Sequence, residues 1–269
     1  MGRLLRIAYR LPGVLAVTFG FFVLWLVGWP VARLSRRGER WRAFIFRLWG
    51  RVALVFFGVV LEVEGTAPEP PFFLVTNHLS YVDIPLLASR LDTVFVAKSE
   101  VASWPVVGTL CRAMGTVFID RGSRRDVVRV IGRMRRRLEA RHGVIVFPEG
   151  TTTDGLCVRP FLPSLLEAPV RLGHPVAWAT LSYRTVDGDP PASLAVCWWG
   201  GMTLGDHLLR LLGLRRIEAR LRFGAQPVTA THRKQLAEEL RARIVADLFP
   251  PAPPAALPET ELHGELQCL

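Results

Sequence analysis

Apolar residues follow three different patterns along this chain of 269 residues. From Leu11 to Ala32 they form one run without a charged residue, and at about 1.5 Å per residue such a helix is long enough to cross a membrane. A second apolar segment, from Phe44 to Phe57, is interrupted by Arg47 and Arg51. Beyond the proline-rich turn at 67–71, short apolar runs alternate with helical patterns, and this alternation is typical of an α/β domain.

The short apolar runs predict the strands of a buried sheet, because strands that are covered on both faces are continuously apolar. These predicted strands lie at residues 72–76, 94–97, 116–119, 144–147, 176–182, 194–199 and 217–223. Predicted helices lie at residues 124–141, 208–212 and 231–248. The order of the elements predicts one α/β domain with a mostly parallel or mixed central sheet flanked by helices.

The predicted helix at 124–141 is strongly basic. Its apolar residues at core-facing spacing are Val127, Val128, Ile131, Met134 and Leu138. This spacing turns Arg129, Arg133 and Arg136 outward, where they form either a solvated face or a contact with an acidic membrane surface.

Basic residues flank the N-terminal apolar run on both sides. Arginines precede it at positions 3, 6 and 10 and follow it at positions 33, 36, 37, 40 and 42. Because positive flanks favour the cytoplasmic side, we expect residues 1–62 to form two membrane-anchoring helices that dip into one leaflet. In that arrangement the arginines of the second helix would lie among the lipid headgroups. A single transmembrane span is the alternative.

The composition narrows the class of partner. Hydrophobic residues make up 50% of the chain, which is enough to bury a full core and leave apolar surface to meet lipid. The formal net charge of +11 favours an anionic partner, such as an acidic lipid surface or nucleic acid. The proline-rich tail at 250–269 cannot form a packed element, and we expect it to be disordered.

A histidine and an aspartate lie five residues apart directly after the first predicted strand, at His78 and Asp83. Histidine exchanges a proton near neutral pH, and a nearby carboxylate can fix its tautomer and stabilise the imidazolium. The two residues are therefore a candidate proton-abstracting dyad. On local pattern alone, Asp83 could instead cap the start of a helix and leave His78 on a surface loop.

Three further motifs follow the dyad in order. They are Gly-Thr-Val-Phe-Ile-Asp-Arg at 115–121, Phe-Pro-Glu-Gly-Thr at 147–151 and His-Pro-Val-Ala at 174–177. Together with Asn-His-x-x-x-x-Asp at 77–83, they resemble the 1-acyl-sn-glycerol-3-phosphate acyltransferase family of glycerolipid acyltransferases. The resemblance covers residues 72–223 and implies an acyltransferase domain at 63–249, after the anchoring helices of 1–62.

The resemblance implies a role for each matched residue. His78 would be the general base that removes the proton from a lysolipid hydroxyl, and Asp83 would orient it. The oxygen would then attack the thioester carbonyl of acyl-CoA or acyl-carrier protein. The implied substrate-binding residues are Lys98, Phe118, Arg121, Glu149, Gly150 and Thr151.

The basic residues of this set match an acceptor phosphate, since a guanidinium fork fits phosphate geometry. Arg121 is the first such contact and Lys98 the second. Glu149 and the Thr151 hydroxyl would bond the polar headgroup of the acceptor, and Gly150 would allow a tight turn.

The chain departs from the family pattern at Thr152, where many lysophosphatidate enzymes have arginine. The first candidate reaction converts 1-acyl-sn-glycerol-3-phosphate to phosphatidic acid, and the departure leaves another lysolipid, such as lyso-ornithine lipid, open as acceptor. Two interpretations belong to other classes. One is a non-catalytic protein that binds anionic membrane or nucleic acid, and the other is a lipid hydrolase in which His78 activates water.

The acyltransferase interpretation sets the expected partners. They are the lipid bilayer, a lysolipid acceptor and a donor that is acyl-CoA or acyl-carrier protein, and nucleic acid is not expected. No metal or other cofactor is implied, since a dyad and phosphate-binding cations suffice. We expect the protein at the cytoplasmic face of the inner membrane.

Overall fold

The computed structural model describes residues 2–35, 37–120 and 123–249, so the predicted disorder of the tail at 250–269 lies outside the described residues. Two long helices come first, α1 (Arg3–Leu34) and α2 (Gly38–Phe57). The other helices are α3 (Asp83–Ala88), α4 (Val107–Ala113), α5 (Arg124–Glu139), α6 (Glu167–Leu172), α7 (Ala192–Ala195), α8 (Leu204–Leu212) and α9 (Arg233–Asp247). Short 3-10 helices lie at Ser99–Ser103 and Pro163–Leu166.

Seven strands form one central sheet. They are β1 (Val59–Glu64), β2 (Phe73–Thr76), β3 (Thr93–Lys98), β4 (Val117–Ile119), β5 (Gly143–Val146), β6 (Val176–Thr185) and β7 (Ile217–Phe223). Their order across the sheet is β1-β7-β6-β2-β5-β3-β4, and every neighbouring pair is parallel except β6 and β7. The predicted mixed α/β sheet flanked by helices is confirmed.

The sheet is covered by helices on both faces. Residues alternate between the two sides along a strand, so Leu74 of β2 packs with α2, α3 and α8, whereas Phe73 and Val75 pack with α5 and α9. β2 lies near the centre of the sheet, and its four residues are all buried. The chain that leaves its carboxyl end is therefore held by a fully packed strand.

The predicted strands differ from the structure at two places. The strand predicted at 194–199 is instead the end of α7 and a loop, because Pro190 and Pro191 start a helical turn in which Leu194 donates to the Pro191 carbonyl. Strand β1 escapes prediction, since it lies at the sheet edge and is only partly buried. It begins at Val59, before the predicted domain start at residue 63.

The buried face of α5 differs by part of a turn from its prediction. Val130, Met134 and Leu138 are buried, whereas Val128 is exposed. The expected outward direction of Arg129, Arg133 and Arg136 is confirmed, because all three are exposed.

Helix α1 is the one helix in the described part of the chain that is long and apolar enough to cross a membrane. It runs unbroken through Pro12 and Pro30 and packs along α2. Two glycines allow the close approach: a Cβ at Gly13 would lie 2.1 Å from the Phe56 ring, and one at Gly28 would lie 2.4 Å from the Trp41 ring. The opposite face of α1 exposes apolar side chains, which include Leu15, Phe19 and Leu26.

Buried arginines attach both N-terminal helices to the domain. The Arg10 guanidinium donates to the carbonyls of Leu212, Leu214 and Arg215, just beyond the carboxyl end of α8, where backbone acceptors lack helical partners. Arg42 of α2 is buried and bonds Glu39 and the carbonyls of Thr93 and Met114. The expectation that the α2 cations lie among lipid headgroups is thus wrong for Arg42, because its side chain is buried against the domain, with Nη1 on two backbone carbonyls and Nε on Glu39.

Candidate active site

The segment that follows β2 continues the sheet through a side chain. The Asn77 amide donates to the Leu181 carbonyl at 2.9 Å and accepts from the Leu181 N–H at 2.8 Å. These two bonds imitate one more step of the ladder between β2 and β6. The main chain is therefore free to turn away at His78, at the carboxyl edge of the parallel strands, where α/β folds place their sites.

His78 and Asp83 are brought together by that turn. The His78 Nδ1 lies 2.7 Å from the Asp83 Oδ2, and the same oxygen accepts the backbone N–H groups of Leu79 at 2.8 Å and Ser80 at 3.1 Å. Asp83 is the first residue of α3 and fixes the loop as well as the imidazole. The helix-cap alternative is wrong for Asp83, because Val82 is the N-cap of α3 and the Asp83 side chain bonds His78 instead.

The second oxygen of Asp83 has its own donor. The Tyr183 hydroxyl on β6 donates to Oδ1 at 2.6 Å, and both side chains are fully buried. A carboxylate with this many donors acts as an acceptor, so His78 donates through Nδ1 and presents its unprotonated Nε2. Burial and the Asp83 carboxylate hold the pKa of the Tyr183 phenol well above its usual range, which keeps it a donor.

The buried Glu149 side chain connects the loop that carries His78 to the loop at Arg159. Its Oε1 accepts the His78 backbone N–H at 2.8 Å, and its Oε2 accepts the Arg159 backbone N–H at 2.8 Å. Burial raises the pKa of this carboxyl to about 7, although the two N–H donors act in the opposite direction. The side chain is only 5% exposed, so Glu149 positions backbone from within the protein.

The loop after Glu149 closes onto the histidine. Gly150 has a φ of +75°, a conformation that favours glycine and lets the chain reverse directly after the glutamate. The Thr153 N–H then donates to the His78 carbonyl at 3.0 Å. With its N–H on Glu149 and its carbonyl on Thr153, the His78 backbone is held at both ends.

An aromatic ring covers one face of the imidazole. The Phe147 ring stacks on the His78 ring with centroids 3.9 Å apart and planes 15° apart. The Phe95 ring stacks on Phe147 from β3. This apolar wall separates the histidine from the sheet and lowers the local dielectric around it.

His78 opens into a cavity of about 560 Å³, within the size range of ligand sites. Its walls are mostly apolar, and its residues come from α1, α2, β3, the 99–113 region and the loops after β2 and β5. The apolar lining includes Phe21, Phe22, Ile45, Phe46, Trp49, Phe57, Phe95, Val101, Trp104, Val107, Leu110 and Trp198. Such a cavity suits a hydrocarbon chain that ends at a proton acceptor.

The predicted substrate-binding residues divide into three groups. Lys98, Gly150 and Thr151 line the cavity with His78, and so does Thr152. Glu149 lies behind the site, and Phe118 is buried on the edge strand β4 and is not among the cavity-lining residues. Arg121 lies outside the described residues.

Charge in the cavity is sparse. Among the described residues that line it, Lys98 carries the one fixed positive charge, and none is acidic. No group of three histidine, cysteine, aspartate or glutamate side chains in the described ranges is arranged to hold a metal ion. The chemistry available to these residues is therefore proton transfer at His78 beside an apolar chamber.

Sequence reasoning assigned no role to several residues that build this site. Tyr183 is one of ten residues in β6, and its pattern is that of an ordinary core tyrosine. Trp198 lines the cavity and its backbone N–H bonds the Leu79 carbonyl. Asn77, by contrast, stands in the Asn-His motif itself, so its position beside the histidine was a usable signal.

Comparison with known proteins places this fold and site in a defined class. The family model described as Acyltransferase matches residues 60–181, a range that contains the dyad and the Glu149 loop. The 1-acyl-sn-glycerophosphate acyltransferase PlsC from Thermotoga maritima has a similar solved structure, with a TM-score of 0.68 over 91% of this chain and 95% of that one. At 22% sequence identity, this likeness supports the fold alone.

Sequence relatives give the family. A lyso-ornithine lipid O-acyltransferase from Pseudomonas aeruginosa is 34% identical over 260 residues, which cover 94% of this chain and 96% of the relative. A 1-acyl-sn-glycerol-3-phosphate acyltransferase from Neisseria meningitidis is 32% identical over 65% of this chain and 68% of that relative. The chain therefore belongs to the lysolipid O-acyltransferases of the 1-acyl-sn-glycerol-3-phosphate acyltransferase family, and the resemblance stated from its motifs is confirmed.

Replacing Tyr183 by phenylalanine tests the support of Asp83. The change leaves Oδ1 buried without its donor, and an unsatisfied buried acceptor costs about 1–3 kcal/mol. Because the loss acts on the orientation of His78, we expect kcat to fall about tenfold or more while KM for the lysolipid stays nearly constant. Tyr9→Phe is the matched control, since it removes a hydroxyl that accepts from Arg10 Nε at 3.2 Å and does not line the cavity. Equal kcat values for the two variants would contradict the role of Tyr183.

Glu149 gives a prediction about pH. In the folded chain the pKa of this carboxyl is about 7, whereas an ordinary glutamate has a pKa of 4.5. Folding thus takes up a proton between these pH values, and the stability contributed by Glu149 falls by about 3 kcal/mol in all as the pH rises through the window.

The measurement is urea unfolding of the wild type and of Glu149→Gln from pH 4.5 to pH 7. An amide does not titrate there, so the wild type should lose stability relative to the variant as pH rises. Parallel stability curves would show that burial does not raise this pKa.

Proposed function

We propose that this lysolipid O-acyltransferase moves a fatty acyl group from acyl-CoA or acyl-carrier protein to the free hydroxyl of lyso-ornithine lipid. The observation that carries the reaction class is the His78–Asp83 pair, held at 2.7 Å at the end of an apolar cavity. The choice of lyso-ornithine lipid as the acceptor is supported by the sequence relatives and by Thr152 in the cavity.

His78 acts as the general base. Its Nε2 takes the proton of the acceptor hydroxyl while that oxygen forms a bond to the thioester carbonyl carbon. The carbon–sulfur bond then breaks, and the imidazolium returns the proton to the departing thiolate. Asp83 balances the positive charge of the imidazolium. Because the hydroxyl attacks directly and a thiolate is a good leaving group, no covalent acyl-enzyme is needed.

The cavity supplies the place for the acyl chain. A saturated chain has no polar groups to satisfy, and the aromatic and aliphatic walls contributed by α1, α2 and β3 bury it without unpaired donors. The polar lining includes Lys98, Thr151 and Thr152, together with Gly150. The headgroup of the acceptor belongs beside these residues and His78.

Two observations favour lyso-ornithine lipid as the acceptor. The Pseudomonas aeruginosa relative with this activity aligns with nearly the whole chain, and further lyso-ornithine lipid O-acyltransferases from Rhizobium meliloti and Brucella abortus are 34% and 33% identical. Thr152 lines the cavity where many lysophosphatidate enzymes have arginine. An acceptor without a phosphate needs less positive charge at that position.

The second candidate acceptor is 1-acyl-sn-glycerol-3-phosphate, with phosphatidic acid as product. The Neisseria meningitidis relative supports it, and Lys98 offers one cation inside the cavity. A contact between Arg121 and the acceptor, and one from Phe118, stay predictions.

The reaction belongs at a membrane. Substrates with long acyl chains reside in lipid, and the outward face of α1 is apolar along most of its length. The packing of α1 along α2 favours helices that lie within one leaflet over a separate span. We place the enzyme at the cytoplasmic face of the inner membrane, where its thioester donors are made.

An acceptor panel tests the proposal. The purified protein should release thiol from an acyl thioester in the presence of lyso-ornithine lipid, less with 1-acyl-sn-glycerol-3-phosphate and least with no acceptor. His78→Ala should lower the rate about 10²- to 10⁴-fold, since a positioned base contributes that much. His174→Ala, outside the cavity-lining set, is the matched control.

The panel also separates the other classes of function. Equal thiol release with and without a lysolipid would identify a hydrolase in which His78 activates water. No thiol release with any acceptor, together with binding to anionic vesicles or nucleic acid, would favour a non-catalytic binding protein.

Thr152→Arg tests the choice of acceptor. A guanidinium at this position would pair with a phosphate, so we expect the ratio of kcat/KM for 1-acyl-sn-glycerol-3-phosphate to that for lyso-ornithine lipid to rise about tenfold. Thr229→Arg adds the same charge as a control, since Thr229 is exposed beside the Val176–Val228 bridge at the amino-terminal end of β6 and does not line the cavity. An unchanged ratio would mean that residue 152 does not contact the headgroup.

A further inference from the structure

One surface segment exposes apolar side chains without a partner in the described residues. Between Glu100 and Arg112 lie eleven residues with no charge, although 21% of the chain is charged. At the tip of this segment, Trp104, Pro105, Val106 and Val107 are all exposed, with Val106 at 71%. A contiguous apolar tip of this kind marks an interaction site on a protein surface.

Hydrogen bonds within the segment hold the tip in a defined turn. The Val107 N–H donates to the Pro105 carbonyl at 2.6 Å, which closes a three-residue turn, and Val106 at its centre has a φ of +62°. This conformation is strained for a β-branched residue, and such strain persists only where the surroundings impose it. The Arg112 side chain braces the base by donating to the Ala102 carbonyl at 2.7 Å.

The tip stands at the edge of the cavity that holds His78. Trp104 and Val107 line this cavity together with Phe21 and Phe22 of α1. Half-buried residues of α1 therefore form one wall of the cavity, and the apolar tip forms part of another. The exposed apolar face of α1 continues from its wall, because Phe22 lies on the same side of the helix as the exposed Phe19 and Leu26.

We propose that the Trp104–Val107 tip inserts into the same lipid leaflet as α1, so that the cavity opens directly into hydrocarbon between them. The occupant is the bilayer, because the tip is neutral and apolar and continues the lipid-facing surface of α1 around the cavity. Lys98 and Arg112 flank the segment at headgroup level. The inference rests on the proposed membrane reaction, since it gives the lysolipid a route to His78 that avoids water.

Vesicle binding tests the tip independently of catalysis. Val106→Asp puts a carboxylate at the tip, and Val245→Asp puts the same charge on α9, where Val245 is exposed and does not line the cavity. With vesicles of phosphatidylethanolamine and phosphatidylglycerol, we expect Val106→Asp to bind about tenfold more weakly than Val245→Asp. Equal binding of the two variants in a sedimentation assay would overturn the proposal.

A fluorescence measurement covers the case in which Val106→Asp fails to fold. Brominated lipids quench tryptophans that lie in the bilayer, and Trp104→Phe keeps an aromatic ring at the tip. If Trp104 is inserted, the fluorescence of the wild type should lose a larger fraction on bromolipid vesicles than that of Trp104→Phe. Identical quenching would place the tip in water.

A soluble assay separates this inference from the proposed function. With a short-chain thioester and a short-chain lysolipid, both dissolved as monomers, Val106→Asp should react like the wild type, because Val106 does not line the cavity. On vesicles its rate should fall about tenfold, in step with its binding. If the wild type acylates no lysolipid, the proposed function is wrong. The vesicle-binding and quenching results would still show whether the tip lies in the bilayer.

Discussion

The buried Asp83 carboxylate is the interaction on which the rest of the site depends. One of its oxygens accepts three donors from the loop that carries the histidine, and the other accepts a phenol from the neighbouring strand β6. A single charged group thus fixes a helix start, a loop and an imidazole tautomer at once. Its burial is tolerable because both oxygens accept hydrogen bonds from the protein.

The N-terminal helices form part of the active-site cavity. They contribute Phe21, Phe22, Phe46 and Trp49 to the wall of the cavity, so the apolar chamber does not exist without them. The division into an anchor and a catalytic domain after residue 62 stays a prediction, and the helices before that boundary help to form the cavity. Helix α2 belongs to the hydrophobic core through Ala53, Leu54 and Phe57.

The sequence predicts best what is continuously apolar or locally spaced. The buried strands β2 and β5 are readable because both of their faces are covered, and the five-residue step from His78 to Asp83 is readable because a loop and one helical turn bring the two together. Tyr183 is not readable, since its partner is 100 residues away and nothing local marks it. Strand β1 alternates only weakly between buried and exposed residues. The apolar run at 194–199 looks like a strand, although the prolines before it start the short helix α7.

The attachment of Arg10 to the chain beyond α8 has a consequence for any shortened form of this enzyme. Three carbonyls at residues 212–215 take their donors from a side chain near the start of the protein. Deleting the first helix would leave these acceptors without their donors and strip the apolar flank of α2. A soluble fragment that starts at the second helix would then need compensating polar substitutions, so removal of α1 is a poor route to crystals of this acyltransferase.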